Sequence, residues 1–302
     1  MALTINNQIT NDSAAKDMTM TAERFLQQLD AIHELPTLST VALQVGRMLQ
    51  DINISAQDVA KIIQNDQSIV TKMLKLVNSA FFGFSTKVSS VQHALMLLGF
   101  NTVRNAVISI DVINALNIKA KIKGFDISTF WRHAVGVAVI SRYLDEATGH
   151  HYREDVFTAG IIHDIGKVVM AHYFSEQFQA VWETMHSEQL NFWEAEHRHF
   201  PLNHAEIGAE LANRWHLPEP MRNVIGGHHT TANNGSIDNL VYIVHTADAL
   251  FHVFLEDGSP TEDWPIGAGA RQLLKPQIRS ADKWINGLKK EIKEACQMLM
   301  ED

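Results

Sequence analysis

The sequence predicts an all-α fold, a helical bundle, on three observations. Apolar residues recur at three- and four-residue spacing over most of residues 22–255, the period of helices with one buried face. The 16 glycines and 7 prolines among 302 residues are too few for a sandwich or barrel of short strands. Ser or Asp precedes several of the apolar runs, where a helix needs its N-cap.

Residues 1–20 show no periodicity and are expected to be a mobile N-terminal segment. From Thr21, the residues Phe25, Leu26, Leu29 and Ile32 share one helical face until Pro36 stops the run. Val41, Val45, Met48, Leu49 and Ile52 repeat the pattern. Ser55 is placed to cap a helix through Val59, Ile62 and Ile63, and Ser68 one through Ile69, Met73 and Val77. Phe81-Phe82-Gly83-Phe84 breaks the period and reads as an apolar loop plug. Ser90 opens a helix that ends at Gly99, and a longer one runs from Thr102 to Leu116. Lys119, Lys121, Lys123 and Gly124 form a polar hinge, which divides an N-terminal helical subdomain (21–122) from a second subdomain (123–302).

Beyond the hinge, Ser128 is expected to cap the helix that carries His133. The next helix closes on His163-Asp164, and others cover 174–189, 204–215 and 218–227. Asp238 caps a helix through His245 and Asp248. Residues 257–269 are rich in glycine, proline and acid, and long enough for a lid or an interface arm. The tail from Ala270 reads as amphipathic helix.

Composition narrows the function. Hydrophobic residues make up 46% and charged residues 20%, which is globular composition. No stretch of 18 apolar residues is present and the N-terminus lacks the order of a secretory signal. The single cysteine, Cys296, excludes an intramolecular disulfide and fits a reducing cytoplasm. The net charge of −9 is unevenly spread: residues 1–125 carry +2 and residues 126–302 carry −11. Such an acidic second half repels nucleic acid and tolerates cations. A helix-turn-helix reading around Ser90 to Val107 is weak, because Arg104 is the single arginine of its recognition stretch. Histidine is more skewed still, with 14 of 16 after Arg132.

The residues that could carry chemistry lie in that half. Gly160-Ile161-Ile162-His163-Asp164-Ile165-Gly166-Lys167 ends an apolar helix in an adjacent imidazole and carboxylate. Asp164 alone could simply cap the next helix. His133 lies on its own apolar helix, however, His204 begins another, and His228-His229 follows Gly226-Gly227 at a third helix end. Asp248 sits in an apolar stretch where an unpaired carboxylate would cost several kcal/mol to bury. Separate helices thus each point a nitrogen or carboxylate inward, and metal coordination is the economical explanation. His150-His151 reads as a solvent-facing turn, and His172, His186, His216 and His252 as surface or satisfied core residues. His197 and His199 could line a pocket mouth, and His245 could support Asp248.

The order His133, His163-Asp164, Asp248 resembles the H…HD…D signature of the HD superfamily of metal-dependent phosphohydrolases. His204 and His228-His229 are similar to the added ligands of its two-metal members, including the HD-GYP cyclic dinucleotide phosphodiesterases. Leu35-Pro36, Ala60-Lys61-Ile62-Ile63-Gln64-Asn65-Asp66, Leu76-Val77-Asn78-Ser79-Ala80, Ala94-Leu95-Met96-Leu97-Leu98-Gly99 and Trp215-His216-Leu217-Pro218 resemble the HDOD branch, the HD-related output domain of bacterial signalling proteins. The chain departs from HD-GYP enzymes in having no Gly-Tyr-Pro motif, and from degenerate HDOD proteins in keeping the whole ligand set.

The resemblance implies an HD-domain-like bundle and assigns roles. His133, His163, Asp164 and Asp248 would hold one divalent ion, and Asp164 would bridge to a second held by His204, His228 and His229. Nitrogen and oxygen ligands without thiolate favour iron or manganese and admit zinc, nickel and cobalt. Asp164 and Lys167 would be the catalytic residues, with a bridging water as nucleophile and Lys167 on a phosphate oxygen. The substrate expected is a nucleotide, cyclic nucleotide or other phosphate-containing small molecule. The alternative is a non-catalytic signalling output module with a structural or ligand-sensing metal site and a signalling protein partner. Neither reading involves nucleic acid or a membrane.

Overall fold

The structure, a computed structural model, describes residues 21–32, 35–48, 54–78, 87–116, 122, 125–149, 152, 155–229, 238–256 and 266–300. The N-terminal segment 1–20, the hinge at 117–121 and 123–124, the apolar loop 81–84, His150-His151 and the arm at 257–265 lie outside the described residues. Among the described residues there is no β-strand. No helix there is long and apolar enough to cross a membrane.

The N-terminal part comprises α1 (Ala22–Ala31), α2 (Thr40–Met48), α3 (Ala56–Ile63), α4 (Gln67–Val77), α5 (Val91–Leu98) and α6 (Phe100–Leu116). Several caps fall where the sequence places them: Ser55 accepts the N–H of Asp58, and Ser90 that of His93. Helix α4 starts earlier than expected, because Asp66 rather than Ser68 accepts the N–H of Ile69 at 3.0 Å. A carboxylate is the stronger acceptor at the positive end of the helix dipole.

The C-terminal part continues with α7 (Ile127–Thr148), α8 (Val156–Ile162), α9 (Ile165–Tyr173), α10 (Ser175–Glu188), α11 (Phe192–Glu196), α12 (His204–Arg214), α13 (Glu219–Gly227) and α14 (Asn239–Phe251). A π-helical turn, His252–Glu256, extends α14. Helix α7 is capped by Asp126, which accepts the N–H groups of both Ser128 and Thr129, so Ser128 is inside the helix and not its cap. Asp238 caps α14 as expected.

The tail is not one helix. It divides into α15 (Ala268–Leu273), α16 (Lys275–Arg279), α17 (Ala281–Trp284), a 3-10 turn at Ile285–Leu288 and α18 (Lys289–Met300). Pro276 has no N–H to continue the α15 ladder, and it sits in the first turn of α16, where none is needed.

Helix α7 is the axis of the bundle. Residues 133–141 are all buried, and the helix packs against α8, α14 and α18, as an all-round apolar helix must. Helix α8 approaches it closely at Gly160, where a Cβ would meet the Cα of Ala138 at 2.5 Å and its N at 2.8 Å. One hydrophobic core extends from Phe25 to Leu299 through both parts. The Phe25 ring of α1 lies 4.5 Å from Phe174 and 5.9 Å from Phe200, and Trp215 Nε1 donates to Pro36 O at 2.9 Å. Helix α18 closes the other side against α4 and α7. The result gathers the ends of α8, α13 and α14 and the start of α12 near His133, in the second turn of α7.

Candidate metal centre

The α8–α9 junction supplies the central pair. His163 ends α8 and Asp164 occupies the cap position of α9, yet the Asp164 side chain accepts none of that helix's N–H groups. Its carboxylate is turned instead into a cluster of histidines. Oδ1 lies 3.1 Å from His204 Nε2 and 3.4 Å from His228 Nε2. Oδ2 lies 3.5 Å from His163 Nε2 and 3.7 Å from His133 Nε2. One buried carboxylate therefore faces two groups of histidines, one with each oxygen.

The first group is His133 from α7, His163 and Asp248 from α14. Asp248 Oδ1 is 3.2 Å from His133 Nε2 and 3.9 Å from His163 Nε2, and the two Nε2 atoms are 3.4 Å apart. The second group is Asp164, His204, His228 and His229. His204 Nε2 lies 3.3 Å from His228 Nε2 and 3.0 Å from His229 Nε2. All seven ligand candidates named from the sequence are thus brought together.

Tautomers decide what this cluster can do. His163 Nδ1 donates to Gly160 O at 2.8 Å, His228 Nδ1 to Ile225 O at 2.9 Å, and His204 Nδ1 to the Glu196 carboxylate at 2.8 Å. With its proton held on Nδ1, a neutral imidazole keeps a bare lone pair on Nε2. Three such lone pairs converge on two carboxylates, and Asp164 Oδ1 and Asp248 Oδ1 are buried without a hydrogen-bond donor. Bare lone pairs and carboxylates packed this way need a cation or a proton among them. Ligand atoms about 2.1 Å from a common ion stand roughly 3.0–3.4 Å apart in octahedral or tetrahedral shells, and most spacings here match. The residues fit divalent metal ions with nitrogen and oxygen ligands.

At most of these groups electrostatics point the same way. Burial pushes His163 down to about 3, so it stays neutral despite the carboxylates beside it. Burial and the neighbouring imidazoles also hold His229 well below its usual value. Asp164 and Asp248 remain ionised: burial opposes this, but Lys167 beside Asp164, and His133 and His252 beside Asp248, hold both well below the carboxylate range. His204 runs the other way: burial opposes charge on it, yet Glu196 and Asp164 raise it, so a proton would compete with a metal ion for its Nε2.

Lys167 Nζ sits 2.6 Å from Asp164 Oδ2 and 5.0 Å from the centre of the Phe192 ring. It supplies positive charge to the oxygen that faces the first group. His245 takes no place among the ligand atoms, and its Nδ1 donates to His228 O at 2.7 Å while its Nε2 accepts Gly267 N–H. It steadies the backbone of a candidate ligand, not Asp248. His197 bonds Trp193 O and His199 bonds Thr184, away from the cluster.

One residue at the centre, Glu196, escaped the sequence reading, and another, His252, was read only as a surface or satisfied core residue. Glu196 ends α11, is 0% exposed and bonds His204. The signal for α11 was present in Asn191 and Glu194, which form a capping box. His252 stands one turn after Asp248, with Nε2 3.4 Å from its Oδ1 and its ring 4.8 Å from that of His133. Their four-residue spacing was the available signal.

The model of the HDOD domain family matches residues 35–231. The chain belongs to the HDOD family. A crystal structure of an HDOD protein of unknown function from Geobacter sulfurreducens is 26% identical, with a TM-score of 0.75 over 92% of this chain and 97% of the other. A candidate phosphohydrolase from Shewanella amazonensis is 22% identical, with a TM-score of 0.71 over 91% and 97% of the two chains. At that identity it shows the HDOD fold alone. An uncharacterised protein of Treponema pallidum is 28% identical over 215 residues, 70% of this chain. This HDOD chain spans 40% of that relative's length.

Proposed function

We propose that this HDOD protein is a metal-dependent phosphohydrolase with a two-ion site. The observation that carries the reading is Asp164, a buried carboxylate with one oxygen toward His204 and His228 and the other toward His133 and His163. Bound divalent ions, iron or manganese by preference, supply an activated water and offset charge on a phosphoryl group. His133, His163 and Asp248 hold one position, and His204, His228 and His229 the other. Asp164 serves both. Lys167 spends one of its three N–H donors on Asp164 and has others for a phosphate oxygen. The substrate class is a nucleotide, cyclic nucleotide or related phosphoester.

A second reading, a non-catalytic signalling output module, draws support from burial. His163, His204 and His228 are 0% exposed, which suits a structural or ligand-sensing metal as well as a catalytic one. The test is a panel of nucleotides, cyclic dinucleotides and an aryl phosphate, run anaerobically in manganese and in iron(II). Wild type is expected to hydrolyse at least one, and Asp164→Ala and Lys167→Ala to lose that turnover. No turnover by fully metal-loaded wild type would favour the signalling module, and turnover that survives Asp164→Ala would mark a contaminant.

A further inference from the structure

The three oriented histidines of the centre differ in what orients them. His163 and His228 give their Nδ1 protons to backbone carbonyls, Gly160 O and Ile225 O. His204 gives its proton to a carboxylate. Both oxygens of Glu196 are turned on His204: Oε1 lies 2.8 Å and Oε2 2.9 Å from Nδ1, and Oε2 also accepts the His204 backbone N–H at 2.8 Å. Glu196 is 0% exposed. A buried carboxylate is costly unless positive charge stands near it.

At the start of α12 this carboxylate caps one N–H, that of His204. Asn203 and Glu206 already form a complete capping box there. What Glu196 adds beyond that N–H is orientation and electron density for the ring. A carboxylate on Nδ1–H fixes the imidazole plane and makes Nε2 a stronger donor than a carbonyl does. Helix α11, the five-residue element that carries Glu196, also sets Phe192 and Trp193 against the His204 ring, at 5.7 and 5.9 Å between centroids.

We infer that Glu196 is a positioning residue for the His204–His228–His229 position, and that metal binding there depends on it while binding at His133–His163–Asp248 does not. The inference rests on the two-ion reading above. It makes the two positions separable by one residue that touches neither ion.

The test uses the full chain, stripped with chelator and titrated with manganese(II), read by calorimetry and by metal analysis. Wild type is expected to take two ions. Glu196→Gln is expected to keep one at wild-type affinity and to bind the other about 10–100-fold more weakly. Asp248→Asn and His204→Ala identify which ion is which. Glu196→Gln with both affinities unchanged overturns the inference and leaves the two-ion reading standing, whereas wild type that takes no second ion overturns both. A second readout needs no variant at all. In zinc-loaded, nitrogen-15 histidine-labelled wild type, the His204 Nδ1 proton is expected downfield of those of His163 and His228. A His204 proton that resonates with the other two overturns the inference.

Discussion

Gly166 lies against the backbone carbonyl of His204, closer than any side chain would permit: a Cβ built there overlaps that oxygen. The same Cβ would also meet Gly208 N at 2.9 Å. Helices α9 and α12 thus touch backbone to backbone, and that contact brings His204 within reach of Asp164. The glycine that follows His163-Asp164 in the sequence is therefore part of how the site is assembled, not a loose hinge.

Gly166→Ala is expected to force α12 outward. Overpacking of this kind costs about 1–3 kcal/mol, because the atom in the way is backbone and cannot rotate aside. Urea denaturation should show the loss, and metal analysis should show a reduced second ion with the first retained. An unchanged midpoint and full metal content would contradict the packing argument.

The capping box of α12 offers a gentler perturbation of the same element. Asn203 accepts the Glu206 N–H at 2.9 Å, and Glu206 accepts the Asn203 N–H at 2.9 Å. Asn203→Ala leaves the Glu206 N–H without its partner, while the N–H of residue 203 can still reach Glu206, and should lower stability by about 1 kcal/mol. Asn203→Asp keeps the acceptor and should keep the stability. Thermal unfolding of the two variants side by side checks it.

The sequence made the ligand set legible because burial forces a choice on it. His133, His163 and Asp248 stand in apolar runs whose period points them inward, and a buried imidazole or carboxylate needs a partner. Helix caps were legible where no carboxylate stood just before the serine, as at Ser55 and Ser90, or where the carboxylate itself was the candidate, as at Asp238. They were not where two competed: Asp66 and Asp126 each displaced a nearby serine, since the carboxylate meets the helix dipole with a full charge. Glu196 was harder. Five residues of helix give no period to read, and its partner is distant until α11 and α12 are folded together. The tail misled because its apolar spacing persists across breaks at Leu274 and Ser280, so amphipathic pattern alone did not show where the ladder is interrupted.

Away from the centre, Asp111 of α6 should leave a signature in acid. It is 5% exposed, and burial raises its carboxyl above the unfolded value of 3.8, with the Ser39 N–H bond at 2.6 Å opposing and Asp66 adding to the rise. A raised carboxyl binds its proton more tightly in the folded chain. Its contribution to stability is thus complete below about pH 3.8 and is lost as pH rises through the raised value. Asp111→Asn, neutral at every pH and still able to accept from Ser39, is expected to be more stable than wild type at pH 7. The difference should vanish below about pH 4. Denaturation at both pH values decides it, and a variant less stable at pH 7 would refute it.

Asp164 and Asp248 give the sharpest separation of one shared ligand from one private ligand. Asp248 belongs to the His133–His163 group, whereas Asp164 turns an oxygen to each group. Asp248→Asn should therefore weaken one ion and spare the other, while Asp164→Asn should weaken both. Asp164→Asn has a second consequence, because Lys167 loses the carboxylate 2.6 Å from its ammonium. Lys167 has only 16% of its side chain exposed, and breaking a buried pair from one side costs up to about 3–5 kcal/mol. Adding Lys167→Met to Asp164→Asn removes the stranded charge and should restore much of that stability, without restoring metal. A double-mutant cycle measured without metal gives the coupling between the two residues. Calorimetric titration with manganese gives the ion count. If Asp164→Asn and Asp248→Asn each remove the same single ion, the carboxylate is not shared and the two-ion arrangement is wrong.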